Sequence, residues 1–135
     1  MITAVDTNVL LDVFGADPHF GPASGFALRR CLAEGALVAC EIVWAEAALA
    51  FPNAEQFTHA MKTLPVTFSA MSEKAAIKAA EVWRRYRAEG GRRNRIASDF
   101  LIGAHSLTEA ERLLTRDRGF YREYFSGLKV LEPSA

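Results

Sequence analysis

The chain has 135 residues, half of them hydrophobic and 24% charged, with 16 Lys and Arg exactly offset in number by 16 Asp and Glu. That is one ordinary domain, large enough to bury roughly 68% of the surface its unfolded form exposes. The balance excludes a protein that is basic or acidic throughout, so any attraction for polyanions has to come from local segregation of charge. Cys31 and Cys40 stand without a Cys-x-x-Cys pair or a His at zinc-finger spacing, so they read as free buried thiols and favour a reducing, cytoplasmic setting. The amino terminus meets Asp6 and Asp12 almost at once, unlike a signal peptide or an anchor. The apolar run 36–51 is interrupted by Glu41 and Glu46 and falls short of a membrane span.

In chain order, residues 1–5 are a short apolar, β-branched strand ending at Asp6-Thr7-Asn8, residue types that satisfy the free amides at the start of a helix over 9–14. Gly15, Asp17, Pro18, Gly21 and Pro22 make a loop before helical spacing at 26–34, which Gly35 closes. A buried strand follows at 36–39, then a helix at 41–50 that breaks at Phe51-Pro52-Asn53. A modest amphipathic helix spans 54–64, and 66–68 is a third strand. Ser72 caps a long helix over 74–88, with Ala76, Ala79, Ala80 and Trp83 as its buried stripe. Helical spacing resumes over 96–110, and 112–115 reads as a strand, 119–125 as a short helix and 129–131 as a last strand. Alternating strands and helices predict an α/β fold with a mostly parallel sheet covered on both faces, and ligands beyond the carboxyl ends of the strands. No repeat, linker or low-complexity tract divides 1–135, which reads as a single domain.

Four acids stand where charge is expensive. Asp6 and Asp117 are at strand exits, Asp99 is in the first turn of an apolar helix, and Glu46 shares a helix face with Ile42 and Ala50. Each has a plain alternative: Asp6, Asp99 and Asp117 as helix caps, with Ser98 competing at the second, and Glu46 as an exposed or Arg-paired side chain. Taken together they converge on one edge of the sheet. Around Asp99 the neighbours Gly103 and Ser106 are small and suggest space for an ion and its waters. Thr115 offers a hydroxyl on the same side as Asp117. Carboxylates without His or Cys suit a hard cation, Mg2+ or Mn2+, and the matching reaction is phosphodiester hydrolysis. Asp12, a turn and a half past Asp6, reads as structural, and His19, His59 and His105 as structural or surface residues.

Charge segregates at 83–95, where Arg84, Arg85, Arg87, Arg92, Arg93 and Arg95 face the single acid Glu89. Arg116, Arg118 and Arg122 bracket Asp117. A solvated helix end is the plain reading. The functional one is a cationic rim that collects a nucleic acid backbone beside an acidic pocket. Tyr86 suits core packing better than base stacking. A non-catalytic RNA- or protein-binding module remains a rival. A phosphatase-like enzyme is a weaker one, because Asn8 stands where a second Asp is needed. No glycine-rich nucleotide loop follows a strand.

The segments Val5-Asp6-Thr7-Asn8-Val9-Leu10-Leu11-Asp12, the Glu46 helix, Asp99-Phe100-Leu101-Ile102-Gly103-Ala104-His105 and Leu114-Thr115-Arg116-Asp117-Arg118-Gly119-Phe120-Tyr121 resemble the PIN-domain ribonucleases, specifically the toxin subunits of VapBC-type toxin–antitoxin pairs. The resemblance covers essentially the whole chain. It departs at Glu109-Ala110-Glu111-Arg112, where such proteins often carry a glycine. It implies a five-stranded parallel sheet in an α/β/α sandwich, Mg2+- or Mn2+-dependent endoribonuclease activity, a homodimer and a small antitoxin partner. By position it implies Asp6, Glu46, Asp99 and Asp117 as metal-binding catalytic acids, and Thr7, Asn8 and Thr115 as their polar supports.

Overall fold

The structure is a computed structural model that describes residues 1–91 and 95–134. Strands of two to four residues are too short to stand alone, and here five of them pair into one sheet. They are β1 (Ile2–Val5), β2 (Ala36–Ala39), β3 (Val66–Phe68), β4 (Arg112–Leu114) and β5 (Val130–Leu131), all parallel, in the order β3-β2-β1-β4-β5. Thr3 registers with Leu37 on one side and Arg112 on the other, which places β1 at the centre. Parallel neighbours need helical crossovers. These are α1 (Thr7–Phe14) and α2 (Gly21–Glu34), α3 (Glu41–Ala48) and α4 (Ala54–Thr63), α5 (Glu73–Ala88) and α6 (Ala97–Glu109), and α7 (Arg118–Tyr124). Connections run one way from β1 to β3 and the other way from β3 through β4 to β5. Because parallel crossovers are right-handed, the two sets of helices cover opposite faces and make an α/β/α sandwich.

The core fills both sides of the sheet, with Val5, Leu37, Leu113 and Leu114 from the strands and Leu10, Leu28, Val43, Phe100 and Tyr121 from the helices. Cys31 and Cys40 are buried free thiols, as their isolation in sequence suggests. Among the described residues no helix is long and apolar enough to cross a membrane.

Two local expectations change. α2 begins at Gly21, five residues before the predicted start, because Pro22 fits the first helical turn and the Asp17 carboxylate accepts from the amides of His19 and Phe20 to shape the entry. On α5 the buried stripe is Ala75, Ala79, Val82 and Tyr86, while Ala76 and Ala80 are exposed and Trp83 is half-buried. Alanines are too small to choose a face. The larger Val82 and Tyr86 choose it, and Tyr86 packs edge-on against Phe100, Phe120 and Tyr124 as a core residue.

Candidate active site

The direction of the chain connections reverses between β1 and β4, and a crevice opens where the carboxyl ends of such strands part. Asp6 follows β1 at that point, its amide continuing the ladder to the Leu114 carbonyl at 2.9 Å. Its extended backbone makes it the N-cap of α1, so the capping role is real. Oδ1 accepts from the Thr7 amide at 2.8 Å, and Oδ2 accepts from Thr115 Oγ1 at 2.8 Å, with Asn8 Nδ2 at 3.5 Å. The side chain is buried. Burial, with the charge of Asp99 adding to it, raises the Asp6 carboxyl to about 6 against the hydrogen bonds from Thr115 and Thr7. Thr115 also accepts from the Asp117 amide at 2.9 Å, so one hydroxyl ties the two strand exits together.

The other acids arrive from three more segments. Asp99, in the first turn of α6, accepts from the Ile96 amide at 3.2 Å, and capping and site positioning coincide there too. Its carboxyl is raised by burial against the hydrogen bond from Ile96 and the charge of Arg95, while Asp117 and Glu46 raise it further. Glu46, half-buried on α3, accepts from Thr7 Oγ1 at 2.7 Å, so Thr7 orients two acids at once, one through its amide and one through its hydroxyl. Asp117 leads into α7, but its carboxylate makes no capping bond; it forms a two-toothed ion pair with Arg95, whose guanidinium lies 4.2 Å above the Phe120 ring. Asp99 is thus the electrostatic hub, feeling both Asp117 and Glu46 and acting on Asp6.

The space predicted around Asp99 is used differently. A Cβ on Gly103 would lie 2.5 Å from the Phe125 ring, so the missing side chain admits an aromatic ring rather than an ion, and Ser106 is buried with its hydroxyl donating to the Ile102 carbonyl at 2.7 Å. As they stand, no three acidic, His or Cys side chains among the described residues close around a single point tightly enough to ligate an ion. The Arg95 guanidinium occupies oxygens of Asp117, and the Thr7 hydroxyl one oxygen of Glu46. The donor chemistry fits a hard divalent cation: carboxylate oxygens only, one of them buried with its charge uncompensated.

The arginines divide into groups. Arg116 is held by buried Asp12, with Nε to Oδ2 at 2.7 Å and Nη2 to Oδ1 at 3.1 Å, while its guanidinium sits 3.9 Å over the Phe20 ring. Ser24 Oγ donates to the same Asp12 oxygen at 2.8 Å, and the Arg116 amide donates to Asn8 Oδ1 at 3.2 Å, so this group clamps the β4–α7 connection onto α1. Asp12 is structural, as read. Arg118 pairs with Glu132 at the surface, and Arg122 is exposed. At the end of α5, Arg84 is exposed, Arg85 lies over Tyr124 and pairs with Glu89, and Arg87 lies over Trp83. Arg92 and Arg93 lie outside the described residues. His19 and His59 are exposed, and His105 is buried with Nε2 3.0 Å from Ser69 Oγ.

Sequence reasoning missed the phenol of Tyr121. It is buried in the same corner, and its pKa is raised well above the ordinary value by burial and by Asp6, Asp99 and Asp117. The aromatic spacing 120, 121, 124 and 125 signals a buried helix face, and nothing in it marks the hydroxyl. Arg112 was also unforeseen: it is buried on β4, with Nε donating to Thr3 Oγ1 at 2.8 Å and the far end of the guanidinium reaching Glu34.

In three dimensions the chain is similar to VapBC2 of Rickettsia felis, solved bound to a DNA fragment from the promoter, with a TM-score of 0.76 and 20% identity over 99% of this chain and 100% of that one. VapBC-1 from nontypeable Haemophilus influenzae gives 0.73 and 20%, and FitAcB from Neisseria gonorrhoeae 0.72 and 22%, each over 98% of both chains. At such identities the likeness shows the fold. No curated protein sequence matches the chain. The sequence profile of the PIN domain, however, matches residues 3–125, nearly the full length, and the chain therefore belongs to the PIN domain family.

Proposed function

We propose that this PIN domain is a divalent-cation-dependent endoribonuclease and the toxin of a toxin–antitoxin pair. One observation carries the reading: acids from four separate segments act on one another electrostatically beyond the carboxyl ends of β1 and β4, and the buried one, Asp6, has among the described residues neutral hydrogen-bond donors and a like-charged neighbour about it. Asp6, Asp99 and Asp117 are the residues to hold Mg2+ or Mn2+, with Glu46 completing the set. Such an ion supplies Lewis-acid neutralisation of the scissile phosphate and acidifies the attacking water. Thr7 and Thr115 fix the Asp6 oxygens. Thr7 fixes one Glu46 oxygen and leaves the other to take a proton from the attacking water. Arg95, paired with Asp117 in the ion-free structure, would have to release it for Asp117 to hold a cation, and with the arginines near the end of α5 it would offer positive charge to the RNA backbone.

One of the similar structures, from Klebsiella pneumoniae, is a toxin–antitoxin complex, and the VapBC of Salmonella typhimurium was solved bound to DNA. That supports a small antitoxin as partner. A homodimer is what the resemblance of the sequence to VapBC-type toxins implies, and the free thiols Cys31 and Cys40 favour a cytoplasmic setting. The second reading, a non-catalytic module with a PIN fold, rests on the Arg95–Asp117 pair, which neutralises one acid without any ion.

The test is cleavage of total RNA in Mg2+ buffer by purified wild type, Asp6→Asn and Asp99→Asn. The expected result is cutting by wild type alone, abolished by EDTA. Equal cutting by all three contradicts the site, and metal-indifferent RNA binding without product supports the second reading.

A further inference from the structure

Phe20 is oddly placed for a purely structural residue. It stands at the N-cap of α2, where Ser, Asp or Asn would satisfy a free amide and a phenyl ring cannot, and it is 38% exposed. Yet the ring is held firmly. The Arg116 guanidinium lies 3.9 Å over it, and His19 meets it edge-on with ring centroids 4.5 Å apart. The turn that carries the two rings is fixed as well, because the Asp17 carboxylate accepts from the amides of His19 and Phe20 at 2.8 and 2.7 Å. Arg116 is no freer: Asp12 takes its Nε and Nη2, which neutralises its charge and sets the plane of the fork. The result is a flat, pre-set shelf of aromatic ring and guanidinium, not a loose cation for a phosphate.

The shelf walls a cavity of about 400 Å3, at the small end of the range for ligand sites. His19, Phe20 and Ser24 line it from the start of α2, and Arg116, Glu132 and Pro133 from the segments that follow β4 and β5. Glu132 is exposed, with Oε2 3.3 Å from Arg118 Nε, and its carboxylate brings a hydrogen-bond acceptor to the cavity. Arg116 directly precedes Asp117 and its amide donates to Asn8 Oδ1, so the cavity adjoins the acid corner. Unpaired bases are recognised in this way, by stacking on aromatic rings and guanidinium planes and by hydrogen bonds to their edges. Resting on the nuclease reading above, we infer that the cavity is a base subsite for the RNA that is cut: one unpaired base stacks against the Phe20–Arg116 shelf and offers its amino edge to Glu132. Adenine, cytosine and guanine carry an exocyclic amino group and uracil does not, so the subsite disfavours uracil. The acids then act on a phosphate near the selected base.

The experiment is fluorescence anisotropy of end-labelled RNA hexamers of A, of C and of U binding to the full chain in EDTA, with adenosine monophosphate as a competitor and RNA cleavage in Mg2+ measured beside it. The proteins are wild type, Phe20→Leu, Glu132→Gln and Phe26→Leu. Phe26 is 64% exposed on the same helix and does not line the cavity, so Phe26→Leu is expected to match wild type. Wild type is expected to bind the A and C hexamers about fivefold more tightly than the U hexamer. Phe20→Leu is expected to weaken binding of the A hexamer about tenfold at an unchanged melting temperature. Glu132→Gln is expected to bring U within about twofold of A, because an amide both donates and accepts; at an exposed side chain it tests the cavity even if Phe20→Leu fails to fold. Phe20→Leu affinity within about twofold of wild type, or an unchanged base preference in Glu132→Gln, overturns the proposal, since stacking and edge contacts are each worth more than that. Adenosine monophosphate competing as well as the unlabelled A hexamer overturns it too, by assigning the cavity to a free nucleotide. A wild type that shows these preferences but never cuts RNA in Mg2+ defeats the nuclease reading and leaves the subsite to the non-catalytic module; a wild type that cuts, beside variants altered in neither binding nor preference, defeats the subsite alone.

Discussion

Asp6 and Asp12 sit one and a half turns apart on the same short helix, both buried, yet their surroundings are opposite. Asp12 has a guanidinium gripping both oxygens and a serine hydroxyl besides, so its charge is neutralised within the fold. Among the described residues Asp6 has an amide, a threonine hydroxyl, a distant asparagine and the Tyr121 phenol in the same corner, none of them a cation, and its carboxyl is raised to about 6. One acid completes the structure and the other leaves it in deficit. On the proposed reading, the difference separates a stabilising carboxylate from one held for a ligand, because a buried carboxyl without a counter-charge either takes up a proton, toward which burial already pushes Asp6, or is neutralised by a bound cation.

Substitution is the most forceful way to break this comparison. Asp6→Asn and Asp99→Asn are expected to lower RNA cleavage by about 100-fold or more while leaving melting temperature unchanged or higher, since burial disfavours the charged form of each carboxyl. Melting and cleavage measured side by side check both halves. The pH dependence follows from Asp6. Its carboxyl is raised from 3.8 to about 6, so the folded state favours the protonated form. That contribution is full below about pH 4 and is lost as pH rises through about 6, a change of at most about 3 kcal/mol in EDTA. Denaturant unfolding from pH 4 to 7 is expected to show the slope in wild type and a flatter one in Asp6→Asn. Asp12→Ala should behave in the opposite sense and cost about 2 kcal/mol of stability. That is below the range for a fully buried ion pair because the Arg116 side chain is 31% exposed. Arg95→Gln is the mildest test. It removes the cation that shares Asp117 and is expected to tighten Mn2+ binding severalfold by calorimetry, where Arg116→Gln leaves it unchanged or weaker.

Much of this was legible in the residues. The strand exits at Asp6 and Asp117 and the early-helix place of Asp99 follow from apolar periodicity and turn residues, which are local and strong. Glu46 stood out because a charge among apolar neighbours demands an account. What could not be read was which partner each charge takes. Nothing near Asp12 names Arg116, more than a hundred positions on, and nothing near Arg95 says that it folds back on Asp117 instead of facing solvent. Gly103 misled for the same reason. Its small size signals close approach, but only the packed structure shows that the Phe125 ring approaches and not an ion. The face of α5 was misjudged because alanine contributes too little area to orient a helix, and the deciding residues, Val82 and Tyr86, respond to α6.

The central claim is that the Asp6 corner is built for a cation. Calorimetric titration of Mn2+ into ion-free wild type and Asp6→Asn at pH 7.5 tests it most directly. The account predicts saturable binding to wild type and none detectable in Asp6→Asn at the same concentrations. Equal binding by both proteins, or none by wild type, would contradict it.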